Sequence, residues 1–354
     1  MGSKEHHVTA TEGIQQRDIA TDRLRARVHE HPGSGTPVVF VHGNVSSSEF
    51  WGPTMRALTR PSVSVDLRGF GGSEVAPVDA TRGVRDFSDD VAAVLDALGL
   101  AAAHLVGWSM GGGVVMQLLL DRPDLIRSVT LVSPISPYGF GGTRRDGSPL
   151  TEDGAGTGGG AANPDFVARL AAGDRSADEA TAPLAVYRSA YVAPGFASAD
   201  EDLWVASMLS TATGPDNYPG DARESASWPG FAAGDRGVLN ALSPVHFDVS
   251  GIVDGPHRPP ILWVRGDLDA IVGDETYFDL NMLGKAGIVP GWPGDEVAPP
   301  QPMIAQTRDV FEAYAAAGGS FTEVVFEGAG HSAHLERPAD FAAVLAAHAD
   351  AAEA

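Results

Sequence analysis

A serine between two glycines is the first residue that could do chemistry. Gly107-Trp108-Ser109-Met110-Gly111 has the pattern Gly-x-Ser-x-Gly, with an apolar run before it and another over residues 110–120. A sharp turn from a buried strand into a helix pushes its central side chain outward, and only very small residues fit two positions before and after it. The N-terminus of the following helix stabilises developing negative charge. Ser109 is therefore predicted to be a nucleophile.

A nucleophilic serine needs N–H donors for the oxyanion that forms when it attacks a carbonyl group. The backbone amide of Met110, directly after the serine, is predicted to supply one of them. The second donor is expected in the loop after another strand at the same sheet edge. His42-Gly43-Asn44 follows the apolar run of residues 37–42, and the amide of Asn44 is the candidate.

Strand and helix patterns alternate along the chain, which predicts a mostly parallel sheet with helices on both faces. One example is residues 84–98, where apolar side chains recur at spacings of three and four before Gly99. The other predicted elements are strands at 21–30, 37–42, 62–66, 103–108, 128–133, 260–266 and 321–326, and helices at 110–120, 304–317 and 338–352.

The composition divides the chain into a core and an insertion. Residues 1–18 are polar and are predicted to form a loose arm, and residues 19–136 the first part of the core. Residues 137–257 are rich in Gly, Pro, Ala and Asp. Residues 258–354 again show strand and helix patterns and are predicted to form the second part of the core, interrupted by an irregular segment at 283–303. Long insertions between core strands are often functional, so residues 137–257 are predicted to form a helical cap.

Four segments of this chain resemble the α/β-hydrolase fold family. They are His42-Gly-Asn44, Asp-Leu-Arg-Gly-Phe-Gly-Gly-Ser at 66–73, the turn at Ser109, and Gly-Ala-Gly-His-Ser-Ala-His-Leu-Glu-Arg-Pro at 328–338. The resemblance covers residues 20–135 and 258–350 and leaves out the insertion. It implies an α/β fold carrying a catalytic triad of serine, histidine and an acid.

The resemblance also implies where the partners of Ser109 lie. The family acid follows the next-to-last strand in a Gly-x-x-Asp setting, which Gly266-Asp267-Leu268-Asp269 matches at Asp269, with Asp267 as the alternative. The family histidine follows the last strand, which matches His331, with His334 as the competitor. The order serine, acid, histidine agrees with the order in this fold.

The expected reaction is hydrolysis of a carboxylic ester or lactone. His331 would take the proton of Ser109, Asp269 would orient the imidazole, and the amides of Met110 and Asn44 would hold the oxyanion before water releases the acyl group. The pocket is expected to be mostly apolar and to accept a small molecule. Its candidate lining residues are all aromatic, namely Trp51, Trp108, Phe140, Trp204 and Trp292.

Other functions fit the same residues. A proline-iminopeptidase-like enzyme would need acidic cap residues facing the pocket, for which Asp200, Glu201 and Asp202 are candidates. A carbon–carbon bond hydrolase, or a cofactor-free haloperoxidase side activity, would use the same triad. Haloalkane dehalogenases and epoxide hydrolases resemble residues 42–48, but they use an aspartate where this chain has Ser109. The alternative from another class is a ligand-binding receptor on the same scaffold.

Charge and composition exclude several kinds of partner. The 354 residues carry a net charge of −22 and no cysteine, which argues against nucleic acids, anionic membranes, disulfides and thiolate sites. Neither a metal nor a cofactor is expected, because His331 and His334 lack a third ligand and the Gly-rich residues 154–159 follow a polar stretch. Residues 1–16 lack an apolar leader and no run could span a bilayer, so we expect a soluble cytoplasmic protein.

Overall fold

The apolar runs predicted as strands lie in one eight-stranded sheet in the computed structural model, which describes residues 11–354. The strands in chain order are β1 (Gln15–Ala20), β2 (Arg25–His31), β3 (Val38–Val41), β4 (Ser62–Val65), β5 (Ala103–Trp108), β6 (Ile126–Val132), β7 (Thr213–Gly214), β8 (Tyr218–Pro219), β9 (Ala222–Glu224), β10 (Phe231–Ala233), β11 (Ile261–Gly266) and β12 (Phe321–Phe326).

Helices lie in most of the connections between strands of the eight-stranded sheet. In chain order they are α1 (Gly52–Ala57), α2 (Arg85–Ala97), α3 (Met110–Asp121), α4 (Pro164–Ala171), α5 (Pro183–Val186), α6 (Glu201–Leu209), α7 (Leu280–Lys285), α8 (Met303–Ala316), α9 (Ala333–Glu336) and α10 (Pro338–Ala351). A π-helical turn, Tyr187–Tyr191, continues α5. Among the helices of residues 11–354, none is long and apolar enough to cross a membrane.

The sheet has the order β1-β2-β4-β3-β5-β6-β11-β12. β2 pairs antiparallel with both of its neighbours, and all the other pairs are parallel. The predicted mostly parallel sheet is therefore confirmed. The central strand β3 is buried over its whole length, as expected of a strand covered on both faces. The predicted amphipathic face of α2 is also buried, through Phe87, Val91, Val94 and Leu95.

The predicted loose arm at residues 1–18 is wrong for residues 15–18. Residues 15–20 form β1, which pairs antiparallel with β2. The Thr21 hydroxyl accepts hydrogen bonds from the amides of Arg23 and Leu24 and closes the turn between the two strands. Because this turn uses residues 21–24, β2 starts four residues later than the predicted strand. Residues 1–10 of the predicted arm lie outside the described residues.

The insertion at residues 137–257 is helical only in part. It holds α4 to α6, and its short strands form the two-stranded sheets β9–β10 and β7–β8. Several hydrogen bonds join it to the core, including one between the hydroxyls of Ser47 and Ser207 (2.6 Å) and one from the Ala212 amide to the Gly69 carbonyl (2.7 Å). The smaller segment at 283–303 begins inside α7 and has no further helix or strand until Met303.

The carboxyl ends of four parallel strands meet at one edge of the sheet. β3 leads there into His42-Gly43-Asn44, β5 into Ser109, β11 into Asp269, and β12 into His331. In open α/β sheets this edge is where ligands and reactive groups gather. The topology therefore brings residues that are far apart in sequence to one place.

Candidate active site

Ser109 lies in a strained turn between β5 and α3. Its backbone has φ 56° and ψ −120°, a region that side chains other than glycine rarely adopt. A Cβ atom added to Gly107 would lie 2.3 Å from the Gly111 carbonyl oxygen, and one added to Gly111 would lie 2.3 Å from the Val41 carbonyl oxygen. Both flanking glycines are thus required by close backbone approach, as the sequence pattern predicts.

The two predicted oxyanion donors follow strands β3 and β5, where Asn44 lies in the loop after β3 and Met110 begins α3. Within residues 11–354 no hydrogen bond uses the backbone N–H of Met110 or of Asn44. Met110 is the first residue of α3, and the first amides of a helix have no partner inside the helix. A Cβ added to Gly43 would lie 3.1 Å from the Cβ of Ser109, so the loop after β3 passes directly against the serine.

His42 fixes the loop that carries Asn44. Its Nε2 accepts a hydrogen bond from the Leu67 amide (3.0 Å), so Nδ1 carries the proton and donates to the Gly43 carbonyl oxygen (2.8 Å). Burial lowers the pKa of His42, which keeps the ring neutral. His42 is therefore a structural residue that joins the loop of Asn44 to the loop after β4.

The predicted acid and histidine are in direct contact. Nδ1 of His331 lies 3.0 Å and 2.9 Å from the two carboxylate oxygens of Asp269. Oδ1 of Asp269 also accepts hydrogen bonds from the amides of Ile271 (2.9 Å) and Val272 (3.0 Å). The side chains of both members of the pair are almost fully buried. The alternative acid, Asp267, is exposed and binds the Gly328 amide instead (2.7 Å).

Replacing Asp269 with asparagine is expected to lower kcat by about 10² to 10³-fold, because the amide cannot hold the Nδ1–H tautomer of His331 as the carboxylate does. Hydrolysis rates of Asp269→Asn and Asp267→Asn measure this. The Asp267→Asn variant makes the same chemical change on the exposed side of the same loop and should stay within about fivefold of the wild type. A larger loss of kcat in Asp267→Asn than in Asp269→Asn would show that Asp267 is the catalytic acid.

His331 lies against the indole of Trp108, the residue directly before Ser109. The Trp108 indole N–H donates to the His331 carbonyl oxygen (3.0 Å), and the ring centroids of Trp108 and His331 are 5.4 Å apart. No direct hydrogen bond joins the Ser109 hydroxyl to the His331 ring among the bonds of residues 11–354. Catalytic hydrogen bonds of this kind often form only when substrate is bound. Ser109 is 8% exposed and His331 1% exposed, so both side chains are covered.

His334, the competing histidine, lies in a different environment. It is fully buried, with its ring centroid 4.2 Å from that of Trp51 and 4.9 Å from that of Trp108, and neither ring nitrogen has a hydrogen-bond partner among residues 11–354. Burial, together with the nearby His331, lowers the pKa of His334 well below its usual value. His334 is therefore a neutral packing residue.

The five predicted lining residues lie in the core, in the insertion and in the segment 283–303. Trp51, Trp108 and Trp204 are fully buried, and Phe50 packs on both Trp108 (5.1 Å) and Trp204 (5.4 Å). This stack joins the insertion helix α6 to the core. Phe140 is half-buried, and its amide binds the carbonyl oxygen of Leu242 in the insertion.

Trp292 lies in the smaller irregular segment. Its indole N–H donates to the Ala298 carbonyl oxygen (2.9 Å), and a Cβ added to Gly284 would lie 2.7 Å from its ring. Among the described residues, the contacts recorded for Trp292 do not include Ser109 or His331. The pocket-lining role of the five aromatic residues stays a prediction.

Glu336 is a residue of the site to which the sequence analysis gave no role. Its two carboxylate oxygens accept hydrogen bonds from the amides of Gly330 (2.8 Å) and Ala193 (3.0 Å). It thus joins the loop of His331 to the insertion. Burial raises the pKa of Glu336. The motif at 328–338 contains this residue, but the sequence offers no signal that it contacts residue 193.

Asp66 also holds the site together. Its carboxylate accepts hydrogen bonds from the amides of Ser48 and Gly72 (2.8 Å each), and His29 Nε2 lies 3.8 Å away. Burial acts to raise the pKa of Asp66, but His29, His42 and the Gly72 amide outweigh it and lower the pKa to about 2. The ionised carboxylate thus fixes the loop after β4 against the start of the turn that follows Asn44.

The lowered pKa of Asp66 predicts a stability that depends on pH. A depressed carboxyl pKa contributes stability that is complete above about pH 4 and is lost as the pH falls towards 2, by on the order of 2 kcal/mol. We expect Asp66→Asn to be less stable than the wild type at pH 7, and the difference to shrink below pH 4. Urea unfolding at pH 7, 5, 4 and 3 measures it, and a difference that grows on acidification would contradict the assignment.

Comparisons with known proteins give the fold of this chain. A sequence model for the alpha/beta hydrolase fold matches residues 36–155. The "Putative carbamate hydrolase RutD" of Caulobacter vibrioides is 39% identical over 115 residues, which cover 32% of this chain and 42% of that protein. This chain thus matches less than half the length of that curated relative.

Solved structures match over nearly the whole chain. An esterase from Exiguobacterium antarcticum superposes with a TM-score of 0.60 at 18% identity, covering 95% of this chain and 100% of that one. Est816, described as an N-acyl homoserine lactone degrading enzyme, superposes with a TM-score of 0.53 at 20% identity, covering 94% and 99%. At these identities the likeness shows the α/β-hydrolase fold.

Proposed function

We propose that this chain, which has the α/β-hydrolase fold, is a serine hydrolase that cleaves a carboxylic ester or a lactone. One observation carries the proposal. The hydrogen-bonded pair of Asp269 and His331 lies at the same sheet edge as the strained turn of Ser109 and the amides of Met110 and Asn44, which have no hydrogen-bond partner among residues 11–354. A nucleophile, a base with its orienting acid, and an oxyanion site are the parts that acyl transfer requires.

The chemistry follows from the groups that these residues carry. Asp269 holds Nδ1 of His331 in the protonated form, which leaves Nε2 free to take the hydroxyl proton as Ser109 attacks the substrate carbonyl. The amides of Met110 and Asn44 stabilise the tetrahedral oxyanion, and the N-terminus of α3 adds to that stabilisation. His331 then gives the proton to the departing alcohol, and water, activated by His331, releases the acid from Ser109.

The aminopeptidase alternative has less support. An aminopeptidase needs free carboxylates to bind a substrate ammonium group, but Glu201 already accepts hydrogen bonds from Nε (2.7 Å) and Nη2 (2.5 Å) of Arg188. The structural neighbours named above include an esterase and a lactone-degrading enzyme. Carbamates are a second acyl substrate for the same triad, since the relative from Caulobacter carries that name.

A panel of substrates tests the proposal. The wild type is expected to hydrolyse p-nitrophenyl esters, and the series from acetate to dodecanoate measures the length of the acyl pocket. An N-acyl homoserine lactone and an aryl carbamate in the same panel distinguish the acyl classes. A fluorophosphonate should label Ser109 stoichiometrically, as mass spectrometry of the labelled peptide would show. If the protein binds a ligand but is not labelled and turns over no member of the panel, the ligand-binding receptor becomes the better proposal.

A further inference from the structure

The hydroxyl group of Tyr191 joins the insertion to the loop 43–46, which carries Asn44. Tyr191, the last residue of the π-helical turn, donates from its hydroxyl to the carbonyl oxygen of Asn44 (2.9 Å), and the carbonyl oxygen of Val45 lies 3.3 Å away. The side chain is 6% exposed, and its ring packs edge-on against Trp108 at 5.8 Å. Burial raises the pKa of the Tyr191 hydroxyl, so the group remains a donor.

The two carbonyl groups that Tyr191 contacts belong to Asn44 and Val45, and the backbone of Val45 is strained. Val45 has φ 47°, and a β-branched side chain with a positive φ is a true outlier. Such a conformation persists only where the surrounding structure holds it. From the side of the core, His42 and the Ser46 hydroxyl hold the Gly43 carbonyl oxygen. From the side of the insertion, the Tyr191 hydroxyl holds Asn44 and Val45.

Residues 191–193 of the insertion also contact the residues on both sides of His331. The Tyr191 carbonyl oxygen accepts a hydrogen bond from the amide of Ser332 (2.8 Å). Two residues on, the Ala193 amide donates to Glu336, whose other oxygen accepts from the Gly330 amide. A Cβ added to Gly330 would lie 2.6 Å from the Ala193 nitrogen. The neighbours of His331 on both sides are therefore fixed by residues 191–193.

We propose that Tyr191 is a positioning residue, whose hydroxyl holds the loop 43–46 in the conformation that aims the Asn44 amide at the oxyanion. This inference rests on the proposed function, because the oxyanion exists only if Ser109 attacks a carbonyl group. Tyr191 acts through Asn44. Its effect should therefore appear in the transition state, where charge is on the oxyanion, and much less in substrate binding.

Tyr191→Phe tests the hydroxyl without changing the ring. We expect kcat on the best p-nitrophenyl ester to fall by about 10-fold to 30-fold, with KM within about twofold of the wild type. Tyr187→Phe is the matched control, because Tyr187 lies on the same turn and its buried hydroxyl has no hydrogen-bond partner in the described part of the chain. This control should leave both kcat and KM unchanged. Equal kcat for the two variants, or a change in KM alone, overturns the inference.

Amide hydrogen exchange gives a readout that does not depend on turnover. The amides of Ser48 and Phe50 are hydrogen-bonded immediately after the strained loop. They should exchange faster in Tyr191→Phe than in the wild type or in Tyr187→Phe. If the wild type hydrolyses nothing in the substrate panel, the proposed function fails, and exchange alone decides whether Tyr191 holds this loop. Unchanged exchange in Tyr191→Phe overturns the positioning role.

Discussion

Ser109→Ala is expected to lower kcat for ester hydrolysis by on the order of 10⁴-fold or more, because no other group replaces the lost nucleophile. Ser109 is the residue that the strained turn between β5 and α3 presents at the sheet edge. Substrate binding and the oxyanion amides remain in the variant, so a small residual rate over water is expected. Steady-state kinetics on the best ester of the panel measure the loss, together with fluorophosphonate labelling, which should disappear.

Ser133→Ala is a close control for this change. Ser133 follows β6, the neighbour of β5 in the sheet, and it also has a positive φ, of 41°. Its hydroxyl is buried without a hydrogen-bond partner. Ser133→Ala thus removes a hydroxyl from a similar backbone at the same sheet edge and should keep kcat within about twofold. Retention of more than a few per cent of the rate by Ser109→Ala would remove the serine from the mechanism.

His331→Ala should be nearly as damaging, with a loss of about 10³-fold or more in kcat. The variant lacks the base that takes the serine proton and the acid that returns it to the leaving group. Asp269 would also be left buried beside an empty space, without the ring that its two oxygens contact. Single-turnover acylation by a p-nitrophenyl ester measures the first of these proton transfers directly.

The control for this histidine is His334→Phe. His334 packs among Trp51, Trp108 and Phe341, and neither of its nitrogens has a hydrogen-bond partner. Phenylalanine keeps the aromatic packing and removes two unsatisfied polar atoms, whose burial is costly. We expect this variant to fold and to retain kcat within about fivefold. The opposite pattern, with His331→Ala active and His334→Phe inactive, would show that the wrong histidine was chosen.

Several elements could be predicted from local pattern because their physical causes are local. β12 has the predicted bounds, residues 321–326, and α10 ends one residue before the predicted helix. Apolar runs between turn residues define buried strands, and spacings of three and four define α2. The arm at 1–18 was mispredicted because β1 has mostly exposed, polar side chains. Only pairing with β2 reveals it as a strand.

The candidate site could be predicted in part for a similar reason. Steric demands confine small residues to positions 107 and 111, so the turn at Ser109 leaves a signal in the sequence. The assignments of Asp269 and His331 came from family resemblance. The contact between these two side chains could not be predicted from local pattern, because nothing in either segment specifies a distance between residues 62 positions apart.

The sequence by itself determined the tight turn at Ser109 and the order of the strands and helices around it, because both follow from local backbone and packing constraints. The tertiary structure decided that His331, and not His334, contacts Asp269, and that Asp267 binds the Gly328 amide instead. It also decided that Tyr191 and Glu336 join the insertion to the loops of Asn44 and His331. Such contacts depend on how distant segments pack. They could not be predicted from the sequence, because the polar side chains that make them have no fixed spacing along the chain.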